Sequence, residues 1–94
     1  MRIFLVRHGR SISNENPRAH EELCDHEVTL TEEGKSQALA AGKFLRDYYR
    51  SRPELSSRKP RVFHSPYMRT RQTTAGLIVG FGRQNVEIVR EDFL

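Results

Sequence analysis

Short apolar runs alternate with longer amphipathic stretches along the 94 residues of the chain. The first run lies in residues 2–7 and reads Ile-Phe-Leu-Val, which predicts a strand buried on both faces at the centre of a sheet. The strand pattern returns at residues 61–64 and at residues 85–90, where Val86 and Ile88 alternate with polar residues. The chain is therefore predicted to contain three short strands.

Two stretches between these runs have helical periodicity. Thr31 is a good N-cap for the first helix. The second helix is predicted over residues 66–79, with Ser65 as its N-cap and Gly80 and Gly82 at its end. The residues predicted to face inward are Gly34, Ala38, Ala41, Leu45 and Tyr48 in the first helix, and Met68, Ala75, Ile78 and Val79 in the second.

The order strand, helix, strand, helix, strand predicts an α/β fold. Right-handed crossovers between such strands give a doubly wound, mostly parallel sheet in a three-layer α/β/α arrangement. Residues 9–28 lack a sustained period and are predicted to form a long loop, and residues 51–60, with two prolines, form a connecting loop. Residues 1–94 make a single domain in this prediction, because the length suits one small core.

The candidate chemistry lies where the first apolar run ends, at Arg7, His8 and Gly9. Glycine permits a close backbone approach to a ligand, and ligands of open parallel sheets bind outside the carboxyl ends of the strands. Arg69, in the first turn of the second predicted helix, follows another strand end, so Arg7 and Arg69 can surround one phosphoryl group beside His8. A neutral His8 can then attack phosphorus and form a phosphohistidine, with its other ring nitrogen bonded to a backbone carbonyl.

Charge and cysteine content narrow the choice of partners. The formal net charge of +4 favours anions such as nucleic acid, an anionic membrane surface or a phosphorylated molecule. The single cysteine, Cys24, excludes an intramolecular disulfide and fits a reducing compartment. The apolar run near the N-terminus is too short for a signal peptide or a transmembrane span, so a cytoplasmic chain without a membrane partner is predicted.

Three blocks of residues follow one another along the chain. They are Arg7-His8-Gly9 with Ser11 and Asn14, then Leu30-Thr31-Glu32-Glu33-Gly34 with Gln37-Ala38, then Ser65-Pro66-Tyr67-Met68-Arg69 with Gln72-Thr73. In this order they resemble the histidine phosphatase superfamily, also called the phosphoglycerate mutase-like family. The resemblance covers nearly the whole chain.

The resemblance implies a role for each matching residue. His8 is implied to be the phosphorylated residue, Arg7 and Arg69 to bind the phosphoryl group, and Asn14 to be a neighbouring polar contact. The predicted substrate-binding set is Asn14, Gly9 and Ser11. The resemblance implies a phosphorylated small molecule or a phosphoprotein as substrate, and neither a metal nor a nucleotide cofactor.

The chain also departs from the family's pattern. The family's glutamate proton donor and its second histidine, in a His-Gly block, are assigned to no residue here, so the chain is predicted to be an incomplete N-terminal portion of the fold. Arg10 stands where the family often has a glutamate, and Ser13 replaces a tryptophan of the mutase branch, which favours a phosphatase. A mutase-like phosphotransferase and a phosphate-binding fragment without catalysis stay open as alternatives.

Other polar groups have plainer interpretations. His64 does not match the family's second histidine and is assigned a rim or structural role. The set His20, Cys24 and His26 fits no common zinc spacing. A basic run could contact nucleic acid, but no aromatic residue is interleaved over residues 58–61, so a solvated surface is favoured. The members of this run are Arg46, Arg50, Arg52, Arg58, Lys59 and Arg61.

The predicted sheet has an open edge. Three parallel strands on their own expose backbone groups and apolar faces that a complete fold would cover. The chain is therefore predicted either to be a piece of a longer polypeptide or to self-associate through that edge.

Overall fold

A computed structural model describes residues 3–11 and 29–90. Helix α1 spans Glu32–Arg50, and the short helix α2 spans Pro53–Ser56. Strand β1 then spans Arg61–His64, and helix α3 spans Met68–Phe81. A 3-10 turn over Arg83–Asn85 leads into strand β2, which spans Glu87–Arg90. β1 and β2 pair in parallel, with Val62 opposite Ile88 and Phe63 opposite Val89. The α/β class with a parallel sheet is confirmed, and α2 lies in the stretch predicted to be a loop.

Helix α1 begins where the sequence predicts. The Thr31 side chain accepts a hydrogen bond from the Gly34 amide at 3.1 Å, which satisfies one of the backbone donors at the helix start. Gly34 and Ala38 of the predicted inward stripe are buried, together with Gly42, and the stripe's other members, Ala41, Leu45 and Tyr48, are half-buried. None of the helices in residues 29–90 is long and apolar enough to cross a membrane.

The start of helix α3 was predicted two residues too early. The helix begins at Met68 after the N-cap Tyr67, which makes no side-chain capping bond. Ser65, predicted as the cap, instead donates from its hydroxyl to Thr70 Oγ1 at 2.9 Å. The predicted glycine end is confirmed at Gly82, whose φ of 113° lies in the region that favours glycine.

The interface between α1 and α3 is built from small residues. A Cβ atom on Gly42 would overlap the Leu77 backbone, and one on Gly80 would overlap the Leu39 carbonyl. A Cβ atom on Gly76 would overlap the Ala38 side chain. The two helix backbones therefore approach each other closely.

This close approach changes which side of α3 is buried. Ala75 and Val79, predicted to face inward, are exposed, and Met68 is also exposed. Ile78 is buried as predicted, and Thr73, Thr74 and Gly80 are buried in place of the other three. The prediction failed at Met68, Ala75 and Val79 because it followed apolar side chains, whereas the helices meet along the glycines.

The strand predicted at residues 2–7 is absent from the described part, residues 3–7. No regular structure is assigned to residues 3–10, and Ile3 and Leu5 are 73% and 96% exposed. Phe4 contacts the Tyr48 and Tyr49 rings of α1, at centroid separations of 5.6 and 6.2 Å. The prediction was wrong because an apolar run forms a strand only when its backbone pairs with a neighbouring strand, and residues 3–7 pair with neither β1 nor β2.

Candidate active site

The loop that follows His8 is fixed to the N-terminal turn of α1. The Arg10 carbonyl accepts hydrogen bonds from the Thr31 amide at 2.9 Å and from the Thr31 hydroxyl at 3.0 Å. The Arg10 amide donates to the side-chain carbonyl of Gln37 at 3.0 Å. Thr31 and Gln37 thus satisfy both backbone groups of the residue two positions after His8.

Glycine is needed on both sides of this contact. A Cβ atom on Gly9 would lie 3.0 Å from the Gly34 Cα, and one on Gly34 would overlap the Arg10 carbonyl. Both glycines occur in the sequence blocks. The close approach of the loop to the helix requires glycine at both positions.

A second glutamine links the same region to α3. Ser11 and Leu30 form an antiparallel bridge, and the Leu30 amide donates to Gln72 Oε1 at 2.8 Å. The sequence blocks contain both Gln37 and Gln72, but sequence reasoning assigned them no role. Their place in the blocks was the only sequence signal for such a role. The backbone amides that they bind lie far away in the sequence, 27 residues from Gln37 and 42 residues from Gln72.

The His8 ring is held by its own backbone. Nδ1 of His8 donates to the Gly9 carbonyl at 2.8 Å, and the residue is half-buried. This is the carbonyl hydrogen bond predicted for the ring nitrogen that does not react. With the proton on Nδ1, Nε2 of the neutral ring carries the lone pair that a nucleophile requires.

Arg7 and His8 border a cavity of about 710 Å³. Arg61 and His64 border the same cavity from β1. Nδ1 of His64 donates to the Ser65 carbonyl at 2.9 Å, which repeats the arrangement at His8. The structure therefore brings His64, assigned a rim or structural role from sequence, to the cavity that His8 borders.

Arg69 lies in the first turn of α3, as predicted, but is not among the residues that line this cavity. Its guanidinium carbon lies 4.8 Å from the centroid of the Tyr67 ring, within the range of a cation–π contact. The convergence of Arg69 and His8 on one phosphoryl group stays a prediction.

The remaining predicted site residues have mixed outcomes. Gly9 is half-buried, and Ser11 is fully buried in its bridge with Leu30. Asn14 and the cluster His20, Cys24 and His26 lie outside the described residues. Within residues 3–11 and 29–90, no group of three or more His, Cys, Asp or Glu side chains is placed to hold a metal ion.

Comparison with known proteins places this arrangement in a family. The chain matches the model of the histidine phosphatase superfamily (branch 1) over residues 3–94 and belongs to that superfamily. Two curated relatives from Arabidopsis thaliana are similar to it, namely the phosphoglycerate mutase-like proteins AT74H and AT74. They are 40% and 38% identical over alignments of 94 and 91 positions, and each alignment covers 97% of this chain.

Solved structures support the same relationship. The chain is similar to a putative phosphohistidine phosphatase SixA from Agrobacterium tumefaciens, with a TM-score of 0.64 and 25% identity over 93% of this chain. A putative phosphohistidine phosphatase SixA from Nakamurella multipartitia gives a TM-score of 0.65 and 28% identity over 96%. The chain spans 34% and 29% of the two curated relatives, and 47% and 41% of the two solved chains.

Proposed function

We propose that the chain carries the nucleophile of a phosphomonoester hydrolase that acts through a phosphohistidine at His8. The observation that carries this proposal is the hydrogen bond from His8 Nδ1 to the Gly9 carbonyl. It leaves Nε2 of the neutral ring as the nucleophilic nitrogen, and His8 borders a cavity that its sequence neighbour Arg7 also lines. Membership of the histidine phosphatase superfamily supports the same chemistry.

The proposed reaction has two steps. Nε2 of His8 forms a bond to phosphorus while the ester P–O bond breaks, and the departing oxygen takes a proton from a general acid or from water. Water then attacks the phosphohistidine, the N–P bond breaks, and inorganic phosphate and neutral imidazole are released. Arg7 and Arg69 are proposed to bind the phosphoryl oxygens and stabilise the charge that they carry in the transition state.

The proposed substrate is a phosphorylated small molecule or a phosphoprotein. Gly9, Ser11 and Asn14 are its proposed neighbours. The solved relatives are named as putative phosphohistidine phosphatases, which supports hydrolysis. The curated relatives are named phosphoglycerate mutase-like, which keeps phosphotransfer to a second substrate as the alternative. A cytoplasmic location, suggested by the single Cys24, stays a prediction.

The test is direct detection of the phosphohistidine. The chain is incubated with an aryl phosphate, and its intact mass is measured under non-acidic conditions. We expect one phosphoryl group on the wild-type chain and none on His8→Ala. His64→Ala is the matched control, because His64 has the same ring hydrogen bond and borders the same cavity, and we expect it to retain the label.

Two results would contradict the proposal. Label on His8→Ala would show that another residue is the nucleophile. No label on any variant, together with binding of orthovanadate that depends on Arg7, would favour the phosphate-binding alternative.

A further inference from the structure

A second concave surface lies away from His8, and we call it the basic cavity. Its volume is about 400 Å³. It lies between the end of α1, the segment from α2 to β1 and the turn before β2. Its lining includes Arg46, Arg50, Arg58 and Lys59, with no aspartate or glutamate among the described lining residues.

The basic cavity lies at the opposite end of β1 from His64, and three residues line both it and the larger cavity that His8 borders, namely Tyr49, Pro60 and Phe81. Pro60, directly before β1, lines the basic cavity, whereas His64 is the last residue of β1. A strand of four residues spans roughly 13 Å at about 3.3 Å per residue. The basic cavity therefore opens near the amino ends of the strands, opposite the carboxyl ends where His64 lies.

The cations of this cavity are poorly compensated. Arg46 forms an ion pair with Asp47 at 3.3 Å, and that aspartate side chain is 70% exposed. Arg50, Arg58 and Lys59 form no ion pair with any residue in the part of the chain that the structure describes. Arg50 lies in the last turn of α1, where the helix dipole favours a cation. That explanation does not extend to Arg58 and Lys59, which lie after α2.

Neutral groups complete the lining. Ser56, Ser57, Gln84 and Asn85 add hydroxyl and amide groups. The rings of Tyr49 and Phe81 also line the cavity and meet edge to face, at a centroid separation of 5.2 Å. Sequence reasoning set nucleic acid aside because no aromatic residue is interleaved over residues 58–61. The fold supplies aromatic rings from α1 and α3.

We propose that the basic cavity binds an oligophosphate, a chain of two or three phosphates. Four cations around one concave surface repel one another, and a ligand with several anionic groups removes that repulsion while accepting charge-assisted hydrogen bonds. The phosphates can belong to a nucleoside triphosphate or to free tripolyphosphate. The volume of about 400 Å³ lies in the range of small-molecule sites, which favours a small ligand over a nucleic acid strand. This site does not depend on the chemistry proposed for His8.

The test measures binding of tripolyphosphate and of ATP by calorimetry near physiological ionic strength. The variant is Arg58→Gln combined with Lys59→Gln. Its control is Lys43→Gln combined with Arg71→Gln, which removes the same charge from exposed helix positions outside the cavity. We expect the cavity variant to weaken binding by about tenfold or more, because it removes two cations that donate charge-assisted hydrogen bonds to the phosphates in this proposal. The control should weaken it by less than about threefold.

The comparison of ATP with tripolyphosphate distinguishes a nucleotide from a free phosphate chain, and the variants distinguish the basic cavity from other binding sites. Tighter binding of ATP than of tripolyphosphate supports a nucleotide ligand that uses the Tyr49 and Phe81 surface, and equal binding supports recognition of the phosphate chain alone. In a His8→Ala background the cavity variant should still weaken binding more than the control does, because His8 does not line the basic cavity. Equal loss in the cavity variant and the control, or the absence of saturable binding, would overturn the proposal. Tighter binding of a single-stranded oligonucleotide that ATP does not displace would also overturn it.

Discussion

Single amide side chains hold the candidate active site together. Gln37 binds the Arg10 amide, and Gln72 binds the amide of Leu30, which is 4% exposed. Each glutamine side chain accepts the hydrogen bond of a backbone amide for which no helix or strand supplies an acceptor. A buried amide that loses its acceptor keeps the full cost of its desolvation.

Replacing Gln72 with alanine should therefore destabilise the chain. We expect a loss of about 1–3 kcal/mol in the free energy of unfolding, because the Leu30 amide would lack an acceptor. Gln72→Glu keeps a side-chain oxygen at the same place and should recover most of the loss. Urea denaturation followed by circular dichroism measures both variants.

Gln84→Ala is the control for this prediction, because Gln84 is exposed. It should change the free energy of unfolding by no more than about 0.5 kcal/mol. Equal stability of Gln72→Ala and the wild type would show that the Leu30 hydrogen bond contributes nothing to stability.

At the level of secondary structure, the sequence indicated two helix ends from local signals, whereas Ser65 was wrongly predicted as an N-cap and the first strand was wrongly predicted to have a partner. The N-cap at Thr31 and the helix end at Gly82 depend on residues within a few positions of each other, so the sequence indicates both. The strand predicted at residues 2–7 depends on a partner strand, which no local pattern specifies. The hydrogen bond of His8 to Gly9 was predictable for the same reason as the cap, since the two residues are adjacent.

The orientation of α3 also followed from a long-range contact. Gly76 and Gly80 allow the α3 backbone to pack on α1, and this places Val79 on the outside at 54% exposure. A prediction from a hydrophobic stripe depends on apolar side chains, so it misses an interface formed at glycines, which have no side chain.

Adding a methyl group at Gly80 should test this interface. Alanine is the better helix former by about 1 kcal/mol, yet its Cβ would overlap the Leu39 carbonyl of α1. We expect Gly80→Ala to lower the free energy of unfolding by about 1–3 kcal/mol, since overpacking outweighs propensity. Thermal or urea denaturation measures the change.

Ala75→Leu is the matched control for Gly80→Ala, because it adds a larger side chain at an exposed position of the same helix. Its effect should stay within about 0.5 kcal/mol. A more stable Gly80→Ala variant would contradict the packing described for α1 and α3.

Across the whole molecule, apolar surface stays exposed on the segment 3–6 and on the sheet. Leu5 is 96% exposed, Phe63 is 56% exposed and Ile88 is 49% exposed. Among the described residues, β1 pairs only with β2, and β2 pairs only with β1. An exposed apolar run next to unpaired strand edges is a recognised site of association.

We expect the isolated chain to self-associate as its concentration rises, and sedimentation velocity measures this. Leu5→Lys should shift the distribution toward monomer, because it places a charge in the exposed apolar segment. Val79→Lys makes the same change on α3, outside that segment, and should have little effect. A monomer at all concentrations for the wild-type chain would contradict the prediction.

His8 and His64, which border the same cavity, lie in parts of the molecule that we expect to differ in local stability. His8 is followed by a loop that three hydrogen bonds fasten to α1 and its cap, and α1 is a 19-residue helix. His64 ends a four-residue strand with one paired neighbour, the kind of element whose amide hydrogens exchange first. Fluctuations that part the strands would therefore displace the His64 imidazole while leaving the His8 imidazole in place.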